Sequence, residues 1–164
     1  MGVYDGLIAI VFLFSIAITI PTFYMFFDQV VTNIETINTD GNLVVDSAPV
    51  SSFRDSLLIF DAGVLFILGA LLVASFFTTF LIRSHPILLV PAFFLFIINV
   101  ALAAFFTNTY QGFVTNNALI ASAAGNFPII VTLVNNLPVI SLISMALGAI
   151  FQFGKTPEEY PVGI

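Results

Sequence analysis

The chain has 164 residues, of which 60% are hydrophobic and 7% are charged, with a formal net charge of −6 and no cysteine. Soluble domains carry about 25% charged residues, so lipid rather than water is the expected solvent for this composition. The only basic residues are Arg54, Arg83 and Lys155. Such a chain lacks the clustered positive charge that direct nucleic acid binding requires. The missing cysteine excludes disulfides and thiolate metal sites.

Four apolar runs are each about long enough to cross a bilayer, which takes about 20 residues. The runs are 6–27, 56–82, 87–107 and 137–153, and the last lies at the lower end of the spanning range. The sequence therefore predicts an all-α, polytopic membrane protein with four transmembrane helices in a single domain, residues 1–164. We interpret the first run as a retained helix, because Asp5 stands where a signal peptide has basic residues.

Two longer connections fall on one side of the membrane in this arrangement. The first, residues 28–55, carries five acidic residues and one basic residue. Its apolar residues between Val30 and Ile37 have helical spacing. We therefore expect the first helix to continue beyond the membrane surface to about Asn38 and to stop near Gly41.

The second connection, residues 108–136, has no charged residue. Residues 118–124 have the pattern of a short helix that ends at Gly125. Residues 127–134 are apolar but too few to cross a bilayer, so we expect an interfacial or re-entrant segment there.

Local signals at the helix ends complete the prediction. Ser52 begins a capping-box pattern that marks the start of the second span. Asn136 followed by Pro138 predicts that the fourth helix begins with a capping amide and an early proline. Pro21 and Pro91 fall inside apolar runs, where prolines kink helices unless neighbours cover the freed carbonyls.

The basic residues indicate an orientation. With four spans, Arg83 and Lys155 lie on the same side as both termini, and the positive-inside rule makes that side cytoplasmic. The two longer connections then face outward. The tyrosines fall near span ends, where a phenol can keep its hydroxyl in water: Tyr4, Tyr24, Tyr110 and Tyr160.

Asp61 is the most informative candidate residue, because an ionisable group inside a span is a functional-site hypothesis by default. It lies about two helical turns inside the second span. One interpretation is a proton or cation site. The other is a structural carboxyl near the interface, reached by water or paired with Arg54, which lies on the same helix face. A single carboxylate without a deeper basic partner forms no relay, which favours the structural interpretation.

Three amides extend this candidate intramembrane polar site: Asn99, Asn135 and Asn136. Such groups form hydrogen bonds between helices, and the alternative is that they coordinate a substrate. His85 is the only histidine, and we interpret it as a loop or cap residue, since one imidazole supplies no zinc or haem ligand set. No nucleotide-binding or hydrolase motif is present. We therefore expect no cofactor, no metal and no enzymatic activity.

Two neighbouring segments carry a resemblance to a class of membrane proteins: Ile82-Arg83-Ser84-His85-Pro86 and, after a phenylalanine-rich span, Asn108-Thr109-Tyr110. They resemble small integral membrane proteins of tailless phages that have an internal lipid membrane. The resemblance implies a structural role, in which the protein stabilises a curved viral membrane and links it to the protein shell. It implies capsid or other membrane proteins as partners, and no catalytic residues.

Two functions of different classes remain open. The first is a structural and interaction protein of a larger membrane assembly, in a virion internal membrane or a cell inner membrane. Small residues and amides in the spans favour oligomers or mixed helical bundles there. The second is a small channel, transporter subunit or holin-like pore in which Asp61 and the asparagines line a polar path. The low polar content of the spans favours the first.

Overall fold

The structure is a computed structural model that describes residues 3–41, 44–81 and 89–153. Within these ranges the chain is α-helical and contains no strand, which confirms the all-α prediction. Its helices, in chain order, are α1 (Val3–Thr39), α2 (Ala48–Leu57), α3 (Ile59–Leu81), α4 (Leu89–Thr115), α5 (Ala118–Ala124), α6 (Pro128–Asn135) and α7 (Leu137–Phe153). Arg83, His85, Lys155 and Tyr160 lie outside the described residues, as does the segment 82–86.

Two of the described helices contain stretches long and apolar enough to cross a membrane. These stretches are Ile8–Thr39 and Phe93–Thr115, with mean hydropathies of 2.2 and 1.7. Helices α5 and α6 meet at a bend of 105° and together pass the same test, so the bent pair would make a third span or a re-entrant loop. The described helices are thus consistent with a membrane protein that has two or up to three spans, and they do not establish the four that the sequence predicts.

The prediction for the end of the first helix is confirmed. Helix α1 ends at Thr39, and Gly41 has a φ of +73°, a conformation that glycine adopts without steric cost. The Asn38 side chain then closes the turn: its Nδ2 donates to the carbonyl of Val45 and its Oδ1 accepts from the N–H of Val45, both at 2.8 Å. A helix of 37 residues rises about 55 Å, well beyond the 30 Å hydrocarbon core.

The second span is broken, and its predicted start is wrong. Ser52 lies inside α2, which begins at Ala48 with Pro49 in its first turn. The Asp46 carboxylate accepts a hydrogen bond of 2.9 Å from the N–H of Ala48, whereas the side chain of the N-cap residue Ser47 makes no capping hydrogen bond, so α2 starts four residues before Ser52. The chain leaves α2 at Leu58 and starts α3 at once, which makes α2 a separate helix ahead of the long apolar one.

The later helices differ from their predicted bounds in smaller ways. Pro91 is the third residue of α4 as the structure describes it, two residues after Leu89. Helix α4 also continues two turns past residue 107. Helix α7 has the predicted bounds, but Asn136 does not cap it through its side chain. Its Nδ2 donates instead to the carbonyl of Thr132 in α6, 2.8 Å away.

The interior is polar in places and much of the surface is apolar. The buried cluster includes Phe127, Ile130 and Val134, all at 0% exposure, and α4 packs against both α1 and α7 around it. Asp61, Asn99, Thr107 and Ser141 are also buried, whereas Phe66 is 80% exposed. Polar side chains thus lie inside and large apolar side chains lie outside. This arrangement suits lipid as the solvent, because in water a large apolar surface would be exposed.

Candidate functional site

The carboxylate of Asp61 meets the N-terminus of α6. Its Oδ1 accepts a hydrogen bond of 2.8 Å from the backbone N–H of Ile130, and its Oδ2 accepts one of 3.1 Å from the N–H of Ile129. The side chain is buried, at 7% exposure. Both oxygens are therefore engaged by backbone donors of another helix.

The local sequence of α6 explains why a distant carboxylate is needed there. Helix α6 follows Phe127, whose side chain cannot accept a hydrogen bond, and Pro128 in the first turn has no N–H. The free donors at the start of this helix are those of the next two residues, Ile129 and Ile130. Asp61 supplies one acceptor oxygen to each, and its negative charge lies at the positive end of the helix dipole. Asp61 on α3 thus takes the role of a capping residue, which ordinarily stands directly before the helix in the sequence.

Arg54 does not pair with Asp61, so that part of the structural interpretation is wrong. Its guanidinium contacts Asp28 on α1 and Asp55 on α2, each at 2.9 Å, and lies 5.9 Å from the ring centroid of Tyr24. The hydrogen bond that Arg54 donates to Asp55, followed by the one it donates to Asp28, raises the pKa of the guanidinium further above its ordinary value. Arg54 therefore ties α2 to α1 and leaves Asp61 to the backbone of α6.

The C-terminus of α6 is held by α4. The Thr107 hydroxyl, which is buried, donates a hydrogen bond of 2.8 Å to the carbonyl of Val134. One turn further along α4, Gln111 Nε2 donates to Asn135 Oδ1 at 3.3 Å, on the exposed side. Asn135 thus forms an interhelical contact. Thr107 and Gln111 were missed in the sequence, although two polar residues four positions apart on an apolar helix indicate a common face.

A second buried polar pair joins α4 to α7. The Ser141 hydroxyl donates a hydrogen bond of 2.7 Å to Asn99 Oδ1, and both side chains are buried. The amide was predicted to link helices, whereas its serine partner was not predicted. Serine is common in spanning helices, so its sequence position alone does not distinguish a partner from a lipid-facing residue.

The four predicted site residues do not converge on one place. Asp61 contacts Ile129 and Ile130 at the N-terminus of α6, and Asn135 and Asn136 lie at its other end, about 8–10 Å away by helical rise. Asn99 is eight positions before Thr107 on α4, again about 12 Å. Within the residues that the structure describes, no group of three His, Cys, Asp or Glu side chains could hold a metal ion.

The prediction that Tyr110 keeps its hydroxyl in water is wrong. The side chain is 2% exposed, and its hydroxyl contacts no hydrogen-bond partner among the described residues. Helices α5 and α6 pack against α4, and Tyr110 joins the same buried cluster as Phe127. Helices α5 and α6, which follow Tyr110 in the chain, therefore cover its side chain, although the sequence places it at the end of a span.

The structure also shows a cleft between α1 and α5, separate from Asp61. Its volume is about 110 Å³, and polar residues from both helices line it together with apolar ones: Tyr24, Met25, Asp28, Gln29, Leu119, Ser122, Ala123 and Asn126. Asp28, which also contacts Arg54, is its charged member.

No protein-family model, curated protein or solved structure matches the chain.

Proposed function

We propose that the chain is an integral membrane protein of four transmembrane helices that acts as a structural component of a larger membrane assembly. Helix α3, at 23 residues, has the length of a span, and α7, at 17 residues, reaches the lower end of the range. With α1 and α4 these make four. The bent pair α5–α6 is then a re-entrant element on the outer side, together with the connection from α1 to α3, and both termini are cytoplasmic.

The observation that carries the structural role is the engagement of the Asp61 carboxylate. Each of its oxygens accepts a backbone hydrogen bond, from Ile129 and from Ile130. A carboxylate that transports a proton or cation has to exchange its partners during transport. Here the release of Oδ1 would leave the buried N–H of Ile130 without a partner, which costs about 1–3 kcal/mol. This favours a fixed capping role over a transport role.

The other buried polar groups support the same proposal. Thr107 holds the far end of α6, and Asn99 pairs with Ser141. Each contact joins two different helices, so these side chains act as fixed links within the bundle. Asn99 lies about 12 Å from Thr107 along α4 and each binds a partner on a different helix, which makes them separate links rather than one polar path.

The alternative is a small channel, transporter subunit or holin-like pore. The observation that favours it is the 105° bend between α5 and α6, since bent half-helices line the ion and substrate paths of many transporters. The viral setting, with capsid proteins as partners, is proposed from the sequence resemblance alone.

Ion flux through reconstituted vesicles tests the two functions against each other. Vesicles with the wild-type chain are expected to show no more proton or potassium flux than protein-free vesicles. Asp61→Asn and, as a matched exposed acid, Asp40→Asn are expected to give the same low flux. Wild-type flux that disappears in Asp61→Asn and persists in Asp40→Asn would overturn the structural role.

A positive test of assembly uses crosslinking in the membrane that contains the protein. An amine- or carboxyl-reactive crosslinker is expected to link the chain to a second copy or to another membrane protein. Capture should weaken when Val44, an exposed residue of the outer connection without a reactive group, is changed to serine. The same change at Asn116, in the other outer connection, is the control. A chain that stays monomeric under all conditions would contradict the proposal.

A further inference from the structure

The cleft between α1 and α5 has a composition that suits a small polar ligand. Four of its lining side chains are polar and come from both helices: Asp28 and Gln29 from α1, and Ser122 and Asn126 from α5 and the turn after it. Its volume of about 110 Å³ equals that of about three or four waters, enough for a headgroup fragment.

The charges beside the cleft leave one negative charge without a cation. Arg54 contacts both Asp28 and Asp55, so one positive charge is shared between two carboxylates. Only Asp28 of these two lines the cleft, and its ion pair with Arg54 uses Oδ1. The net charge of Arg54, Asp28 and Asp55 together is −1, and a monovalent cation in the cleft would neutralise it.

The hydrogen-bonding groups specify which cation fits. Carboxylate, amide and hydroxyl oxygens are all acceptors, and among the described residues Gln29 makes no hydrogen bond through its side chain. Asn126 makes only a long one, of 3.5 Å, to the carbonyl of Ser122. A primary ammonium has three N–H donors to offer such acceptors, whereas a quaternary ammonium has none.

The position of the cleft along α1 indicates where such an ammonium comes from. The first apolar run of the sequence, residues 6–27, rises about 33 Å as a helix, close to the thickness of the hydrocarbon core, and Asp28 follows it directly. Asp28 therefore lies at the level of the lipid headgroups. Tyr24 lies one turn before Asp28 on α1, and its ring contacts that of Phe127. Tyrosine is enriched at membrane interfaces, which fits this level.

We infer that the cleft between α1 and α5 binds a primary ammonium group, supplied by the ethanolamine headgroup of a membrane lipid. Asp28 provides the charge, and Gln29, Ser122 and Asn126 provide further acceptors. The site goes beyond the proposed structural function, since a bound headgroup would fix the outer end of the bundle to one class of lipid.

Native mass spectrometry of the full chain in detergent tests the inference by titration with three lipids of equal acyl chains. Phosphatidylethanolamine is expected to bind about tenfold more tightly than phosphatidylcholine, the difference that a charge-assisted hydrogen bond makes. Phosphatidylglycerol, which has no ammonium, should bind no better than phosphatidylcholine. Equal binding of all three lipids would overturn the inference.

Two matched pairs of variants locate the site. Asp28→Asn keeps an oxygen for Arg54 but removes the charge, and is expected to lose the preference for ethanolamine. Asp55→Asn removes a charge from the same Arg54 cluster but lies outside the cleft, and is expected to keep the preference. If both variants lose the preference for ethanolamine equally, the effect comes from the ion pairs of Arg54, and the proposed site is overturned.

The second pair compares amides. Asn126→Ala in the cleft should weaken ethanolamine binding, and Asn33→Ala on the exposed part of α1 should not; similar effects of the two would count against the site. If free ethanolamine binds as tightly as phosphatidylethanolamine, the cleft binds an ammonium group, but the inference that a lipid supplies it is overturned.

Discussion

The carboxylate of Asp61 accepts a hydrogen bond from the backbone N–H of Ile130, 2.8 Å away in space and 69 positions later in the chain. A side chain from the long apolar helix α3 thus determines where the short helix α6 begins. Contacts of this kind between distant parts of the chain define the fold more strongly than local capping does, because they fix the position of one helix against another.

Replacement of Asp61 should destabilise the protein. Asp61→Ala leaves two N–H groups of α6 without acceptors in a buried place, and we expect a loss of about 2 kcal/mol in unfolding free energy. Asp61→Asn retains one acceptor oxygen and should lose about 1 kcal/mol. Circular dichroism during denaturation in mixed micelles measures both. Asp40→Ala, at an exposed acid, is the control and should change stability by less than about 0.5 kcal/mol.

Removal of the link at the other end of α6 should have a smaller effect. Thr107→Val keeps the shape of the side chain but removes the hydroxyl that donates to the carbonyl of Val134, at a cost of about 1 kcal/mol. Thr109→Val is the matched control, because the Thr109 hydroxyl bonds to the carbonyl of Phe105 in its own helix and is exposed. Equal destabilisation by the two variants would contradict the role of Thr107.

The buried pair of Asn99 and Ser141 should show energetic coupling. A double-mutant cycle of Asn99→Ala, Ser141→Ala and the double variant is expected to give a coupling energy of about 0.6 kcal/mol, the average for hydrogen bonds between spanning helices. Stability in micelles is again the readout. A coupling energy of zero would mean that the 2.7 Å contact contributes nothing to the packing of α4 against α7.

The proposed topology can be mapped on a chain that has no cysteine of its own. Single cysteines can be introduced at positions 40, 84, 116 and 158. Each reacts with a membrane-impermeant maleimide only when it is exposed on the side of the membrane where the reagent is present. Positions 40 and 116 should be labelled from outside intact cells, and 84 and 158 only after the cells are permeabilised. Labelling of 40 and 84 from the same side would contradict four spans.

The sequence predicts most of the helices because their signals are local. The helix at 118–124, the end of α1 and the bounds of α7 all follow from apolar spacing, glycine and proline. The break at Leu58 was missed, because a continuous apolar pattern crosses it. Ser52 was favoured as a start because it satisfies a common pattern, whereas α2 begins four residues earlier, at Ala48.

The candidate site is less predictable for a physical reason. Asp61 was correctly identified as unusual, since a carboxylate inside a span is costly, but its partners are backbone N–H groups and these have no sequence signature. Arg54 was considered its partner because seven positions place the two on one helix face. In the structure the two residues lie on different helices, α2 and α3, and Arg54 pairs with Asp28 and Asp55 instead.

The two side chains that hold α6 have a consequence for biosynthesis. Asp61 and Thr107 both precede α6 in the chain, so both have left the ribosome before Pro128 does. The helix that depends on them can therefore dock as soon as it is made. A circular permutant that begins at Asn126 reverses this order and would expose the N-terminus of α6 until α3 follows, and its yield of folded protein in the membrane should fall accordingly.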